Sequence, residues 1–406
     1  MMQAKLTMKE RKVVTKAMAE QYRHGSKGTK NRLLDQFTQA TGYNRSYASR
    51  LLRNHGRLVR MSPTVVVQGD VRARTTRTVK RKYDGETIQA LARIWEMLDY
   101  ISGKRLAAAL PAVLEQLAVF RELRLKKAVQ KKLLEMSPAT MDRVLKPERQ
   151  KYAIKGRSRT KPGTLLKHQV PIRTYSDWDD LKPGFLEMDL VGHDGGRAEG
   201  DYCFTLNITD VATGWTELAA VPNKAQKWVF EALQQLRERL PFTVLGLDSD
   251  NGSEFINHHL VAYCTEHHIT FTRSRPFRKN DNCYVEQKNW SVVRRTVGYA
   301  RFDTPQHGEL LNGLYRFLRD YNNFFMPSMK LVEKIRHGAK VRKRYDNPQT
   351  PFQRVLQSSA IAQVIKERLR RYYEGLNPAA LHRQIRQLQK QLDGLSRRNS
   401  KLREDD

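Results

Sequence analysis

Two acidic residues, Asp250 and Glu286, have 35 residues between them, and each marks the edge of a regular apolar pattern. Asp250 follows the apolar run in FTVLGLDSDNGSEF, and Glu286 opens the helical pattern VEQKNWSVVRRTVGY. A third, Asp189, sits inside another apolar run, PGFLEMDLVGH. A carboxylate buried in such a run costs free energy unless it finds a partner, so a fold that buries these segments must also supply one. The surrounding pattern limits the folds. PGFLEMDLVGH, YCFTLNITDVAT and GWTELAAV read as three successive strands, an antiparallel meander. KAQKWVFEALQQLRERL is a helix, FTVLGLDSD a fourth strand, INHHLVAYCTEHHI a helix and TFTRSRP a fifth strand. Three strands followed by alternating helix and strand predict an α/β core, a mixed five-stranded sheet with helices packed on it. Asp189 and Asp250 then fall on or just past strands that can be neighbours, and Glu286 on a helix that can lean over them.

Three convergent carboxylates suit hard divalent cations, which bind oxygen ligands. Two such ions can activate an oxygen nucleophile and relieve charge on a leaving oxygen at a phosphodiester. Other residues compete for these roles. Asp248, two before Asp250, shares its strand face; Asp194 and Asp210 are further carboxylates, Asp210 better suited to the DVATG turn. Gly252 and Ser253 suit a tight turn after the strand, and His193 is open to a site, DNA or plain surface role. Only three cysteines occur, Cys203, Cys264 and Cys283, too few for a disulfide framework. Cys264, His267 and Cys283 lack a second Cys/His pair at zinc-finger spacing.

Together, LEMDL, SDNGSEF and VEQKN, with 35 residues between Asp250 and Glu286, resemble the catalytic core of retroviral integrases and bacterial insertion-sequence transposases, the DDE recombinases. The later segments YNNFFMPS and NPQTPFQRVL also resemble these transposases, so the likeness spans about residues 180–356. It implies a ribonuclease H-like fold with Asp189, Asp250 and Glu286 as catalytic and metal-binding residues. It further implies Mg²⁺ or Mn²⁺ as cofactor, nicking at the ends of a bacterial mobile element, and attack of the freed 3′ hydroxyl on target DNA. The alternatives are a nuclease that cuts without joining and a DNA-binding regulator with an inactive core. The N-terminal His/His/Cys/Cys zinc module of retroviral integrases is absent, since no cysteine precedes Cys203.

The rest of the chain suits a polyanionic partner. With 74 Lys+Arg against 42 Asp+Glu the net charge is +32, which favours double-stranded DNA, both element ends and target. Residues 1–60 read as three helices, the last, RSYASRLLRN, capped by Asn44. Tyr47, Ala48, Leu51 and Leu52 are expected inward, with Arg45, Ser46, Ser49, Arg50 and Arg53 outward, a helix-turn-helix arrangement. Residues 61–84 read as a basic linker. Residues 85–150 read as a second helix-turn-helix-like module in which Ser137 and Pro138 start a helix exposing Arg143. Residues 151–177 form a basic connector, and 178–356 the core, including a basic segment 334–344.

Candidate phosphate contacts near the cut are Lys279, Lys288, Arg294 and Arg295, with Arg275 and Arg278; beyond it they are Lys334, Arg336, Lys340, Arg342, Lys343 and Arg344. In the tail, 357–406, Leu381, Ile385, Leu388, Leu392, Leu395 and Leu402 follow a heptad seam, with Asn399 in the vacant place. That seam predicts a coiled coil and a homo-oligomer, with a helix folded back on its own chain as the alternative. An ATPase helper is left open. With neither a membrane span nor the apolar core of a signal peptide in MMQAKLTMKERK, the expected location is the bacterial cytoplasm, at the nucleoid.

Overall fold

The computed structural model describes residues 6–62, 65–68, 82–149, 182–197, 199–250, 252, 254–255, 258–273, 283–338 and 340–402. Lys279, Arg275, Arg278, Ser253 and the basic connector 151–177 lie outside the described residues, as do the side chains of Cys283, Lys334, Arg336, Lys340, Asn399 and Leu402. The chain divides into two compact units, Met1–Lys82 and Tyr83–Asp406.

The first unit holds three helices, α1 (Met8–His24), α2 (Lys27–Thr41) and α3 (Arg45–Asn54). Each begins where the sequence supplies a cap. Thr7 and Glu10 form a reciprocal capping box, Ser26 accepts from the Thr29 N–H, and Asn44 from the Tyr47 N–H. Gly42, at φ 71°, ends α2 in a left-handed turn that a side chain would disfavour. Ala19, Tyr22, Leu33, Leu34, Phe37, Ala48 and Leu52 form the core. Tyr47 does not join them: it is 48% exposed, because the inner face of α3 is the narrow Ala48–Leu52 line. A short antiparallel hairpin follows, β1 (Leu58–Ser62) with β2 (Val65–Gln68), where the sequence reading has a linker from residue 61. The β-branched run Val65–Val67 carries enough strand propensity to pair locally.

The second unit opens with α4 (Gly85–Met97), α5 (Gly103–Val119), α6 (Lys127–Leu134), α7 (Pro138–Val144) and α8 (Lys146–Arg149). Ser137 caps α7, with Pro138 at its first turn. These helices, expected to form a module of their own, share one continuous core with the sheet and the tail; Leu91, Trp95, Leu98, Leu106 and Leu117 belong to it beside Leu206, Trp215 and Leu318. Amphipathic periodicity shows that a face is buried, not against which element. The sheet comprises β3 (Phe185–Gly192), β4 (Phe204–Asp210), β5 (Thr216–Val221), β6 (Gly246–Ser249) and β7 (Thr270–Arg273), in the order β5-β4-β3-β6-β7. The pairs β3–β4 and β4–β5 are antiparallel, while β3–β6 and β6–β7 are parallel. Helices α9 (Gln226–Glu238) and α10 (His258–Glu266) make the crossovers. This is the expected mixed five-stranded, ribonuclease H-like core.

Helix α11 (Cys283–Lys288) runs into a π-helical stretch, Asn289–Arg294, and then α12 (Arg295–Val297). Helix α13 (Pro305–Asp320), a hairpin of β8 (Leu331–His337) and β9 (Lys340–Tyr345), and helices α14 (Pro351–Gln357), α15 (Gln363–Glu374) and α16 (Pro378–Leu402) complete the unit. The first part of the heptad seam of α16 is covered within the chain. Leu381, Ile385 and Leu392 are buried in the main core, Gln389 Nε2 donates to Thr296 O at 2.5 Å, and Arg383 pairs with Glu122 at 2.6 Å. The covered part favours the helix folded back on its own chain over the expected coiled coil: an apolar seam reads the same whether a partner or its own chain covers it. Among the described residues no helix is long and apolar enough to cross a membrane.

Candidate active site

The site grows from strand register. On parallel β3 and β6, Met188 pairs with Ser249, so Asp189 and Asp250 come next, side by side. Alternate residues of a strand share a face, which places Glu187 with Asp189 and Asp248 with Asp250. The paired residues Asn207 on β4 and Thr272 on β7 extend this polar row. Helix α11 covers it, because the Tyr284 and Val285 N–H groups both donate to Glu187 Oε2, at 2.9 and 3.0 Å. Glu187, fully buried, thus holds the start of the helix that carries Glu286. One turn further on, Asn289 Nδ2 donates to Asp189 Oδ2 at 2.6 Å, while its own Oδ1 accepts from Asn207 Nδ2 at 2.7 Å.

The electrostatics record the crowding. The Asp189 carboxyl is pushed up to about 7, first by burial and then by the charge of Asp250, with a smaller push from Glu286. The Leu190 N–H and the Asn289 amide work the other way. Asp250 is raised by burial, offset by the Gly252 N–H at 2.9 Å. Glu254 is raised by burial, and the charge of Asp250 adds to it. Glu286 is exposed. Oxygen donors burdened by one another's charge have the chemistry of a hard-cation site. The donors are not closed into a cage: among the described residues, no group of three His, Cys, Asp or Glu is placed to hold a metal ion.

The rival residues have other occupations. Asp248 is fully buried and accepts from the Thr272 hydroxyl at 2.5 Å. Asp210 accepts from the Gly184 and Thr213 N–H groups, a turn-holding role. Asp194 accepts from the Gly196 N–H in a local turn. His193 is fully buried against Thr205 at 2.7 Å, and burial drives its imidazole down to about 3, so it stays neutral. Cys264 is buried, and burial pushes its thiol up to about 12, away from the thiolate that zinc needs.

The integrase core domain profile matches residues 180–279. The uncharacterized protein y4rM of Sinorhizobium fredii (strain NBRC 101917 / NGR234) is 39% identical over 355 residues, covering 87% of this chain and 97% of its own. The chain belongs to the DDE transposase and integrase superfamily. Among solved structures, the catalytic core domain of BIV integrase is similar at 19% identity and TM-score 0.29, over 47% of this chain and 98% of that one. The HTLV-2 integrase catalytic core domain in complex with magnesium is similar at 14% identity and TM-score 0.28, over 37% and 93%.

Several cations expected to contact phosphates are engaged within the fold. Lys288 is buried; burial, then the charges of Arg105 and Arg354, push its amine down to about 7. It lies on the helix face away from Glu286, which spacing on a short helix leaves undecided. Arg294 donates to Gly192 O at 2.7 Å and lies over the Tyr299 ring. Arg295 binds Asp99 at 2.8 Å and so ties α12 to the loop after α4. Among the other candidates, Arg45 is paired with Asp35, and Ser49 meets the Tyr22 hydroxyl at 3.4 Å. Arg50, Arg53, Arg143, Arg342, Lys343 and Arg344 are exposed.

Two positioning residues, Glu187 and Asn289, went unread in the sequence. The signals were present: Glu187 precedes Asp189 by one strand period, and Asn289 follows Glu286 by about one helical turn.

Proposed function

We propose that the protein is a DNA transposase of a bacterial mobile element, cutting element ends and joining them to target DNA. The observation that carries this reading is the register-adjacent pair Asp189 and Asp250, with Glu286 near enough for its charge to act on Asp189. The integrase core itself supports a polynucleotidyl transferase. Asp189, Asp250 and Glu286 would hold Mg²⁺ or Mn²⁺, which supplies activation of the attacking oxygen and relief of charge on the leaving oxygen. Asn289 fixes the rotamer of Asp189, and Glu187 sets the place of Glu286. The net charge of +32 supplies affinity for the phosphate backbone, and α1–α3, with exposed Arg50 and Arg53, is the candidate reader of element ends. Joining two ends calls for a second copy of the chain.

The test is Asp250→Asn. This variant keeps DNA affinity and loses Mg²⁺-dependent nicking of terminal DNA, by at least about 10²-fold given the several kcal/mol that metal-borne charge stabilisation supplies. Continued nicking in Mg²⁺ sinks the site assignment. Labelled ends that are cut but never joined would instead mark a nuclease.

A further inference from the structure

Strands β8 and β9 pair from Leu331↔Tyr345 to His337↔Lys340, and Gly338, at φ 57°, makes the turn. The base of this hairpin is pinned to the core. The Lys330 N–H donates to Asp346 Oδ1 at 2.6 Å, and the Asp346 N–H returns to Lys330 O at 3.0 Å. Arg354 holds the other Asp346 oxygen at 2.6 Å, and Lys330 Nζ donates to Ala212 O at 3.0 Å. Beyond that base the ribbon turns to solvent. Leu331, Val332, Glu333 and every residue from Val341 to Tyr345 are exposed, Val332 by 56% and Tyr345 by 48%. A lone two-stranded ribbon is marginal in water, so one that spends valine and tyrosine on solvent is built to be covered.

The charge identifies what covers it. Residues 331–345 carry six Lys/Arg against one Glu. Neighbours on a strand point to opposite faces, so Arg342 and Arg344 lie on one face and Lys343 on the other. A flat anionic surface would meet cations on one face only. A partner that flanks the ribbon on both sides uses both, and the B-DNA major groove, about 12 Å wide between two phosphate backbones, admits a two-stranded β-ribbon. Seven residues of strand extend about 23 Å, the axial rise of roughly seven base pairs.

We propose that the hairpin Leu331–Tyr345 enters the major groove of duplex DNA, with the core-pinned base setting its angle. The proposal rests on the DNA-acting reading above and adds to it the element and the groove. Arg342 and Arg344 on one face and Lys343 on the other meet phosphates on the two walls, and exposed Val341 and Tyr345, on the Lys343 face, are covered by the same wall.

Because Lys330 and Asp346 already bond each other, residues 332–344 can be replaced by an Asn-Gly turn without disturbing the base. Binding of the full chain and of this variant is measured by fluorescence anisotropy on a 30-base-pair DNA duplex and on the matching RNA duplex, between about 50 and 200 mM NaCl. The expected result on DNA is a salt slope shallower by about 3 to 5 and at least a tenfold loss of affinity. The RNA duplex, whose deep narrow major groove excludes a ribbon, loses much less. A second variant, Arg342→Gln with Lys343→Gln, keeps the hairpin and lowers the DNA slope by about 2. An unchanged slope in both variants overturns the proposal, and so does an equal loss on DNA and RNA. A full chain that binds neither duplex overturns the DNA-acting reading as well.

Discussion

Removing the Glu187 carboxylate tests whether Glu286 is held from beneath the sheet surface. Helix α11 has six residues, too few to persist on its own. Its first turn rests on Glu187 Oε2 through the Tyr284 and Val285 N–H groups, at 2.9 and 3.0 Å. Glu187→Ala deletes this acceptor inside a fully buried site. An unsatisfied buried donor costs about 1 to 3 kcal/mol, so two cost about 2 to 6, less what entering water recovers; about 3 kcal/mol is a fair working figure. Spent on the docking of α11, that corresponds to about a 150-fold fall in the population holding Glu286 in place. Glu187→Gln keeps one carbonyl acceptor and loses the charge, about half the strength, for a fall of roughly tenfold.

The assays are metal-dependent nicking of DNA and amide hydrogen exchange. Nicking should fall by about 10² in Glu187→Ala and by about 10 in Glu187→Gln, with DNA affinity unchanged. Exchange at Tyr284 and Val285 should quicken in parallel, a readout that is independent of catalysis. A folded Glu187→Ala protein that still protects those amides and nicks within about twofold of the parent would refute the argument.

Three further outcomes follow from the same geometry. Asp189, raised to about 7 in the fold, binds its proton more tightly there than in the unfolded chain. Its contribution to metal-free stability is therefore fully present below about pH 4 and lost as pH rises through about 7, so the thermal midpoint falls over that window. Mg²⁺ should restore it increasingly above pH 7, and Asp189→Asn should flatten the profile and abolish the Mg²⁺ gain; a pH-independent midpoint would contradict this. Lys288, lowered to about 7, is costly to bury while charged, so Lys288→Met should raise the melting temperature at pH 7, a gain shrinking towards pH 10. DNA affinity should stay within about twofold, whereas loss of a true phosphate contact would weaken binding and shallow its salt slope. Leu392→Ala, at a position 1% exposed, should cost about 2 to 5 kcal/mol by chemical denaturation without altering the sedimentation of the folded protein; a change in association state would return α16 to the role of an oligomer seam.

Within the sheet region the sequence by itself determined the order of strands and helices, and elsewhere several helix starts, because apolar period and caps are local quantities: Asn44, Ser137 and Pro138 start their helices where composition says they should, whereas the hairpins β1–β2 and β8–β9 went unread. It also singled out Asp189, Asp250 and Glu286, since spacing along the chain survives folding. It named arginines and lysines as candidate DNA contacts, and several of these are engaged within the fold. Whether Lys288, Arg294 or Arg295 meets solvent depends on which helix face packs, and that is set by residues such as Arg105, Gly192 and Asp99 far away in the chain. The heptad seam of α16 was equally legible and equally ambiguous, because burial of leucine is non-directional and does not record whose surface does the burying. Only the tertiary structure set Asp189 beside Asp250 in register, placed Glu187 under the helix of Glu286, and drew α4–α8 into the same core as the sheet. Those are contacts between segments about 60 to 200 residues apart, fixed by packing rather than by any local pattern.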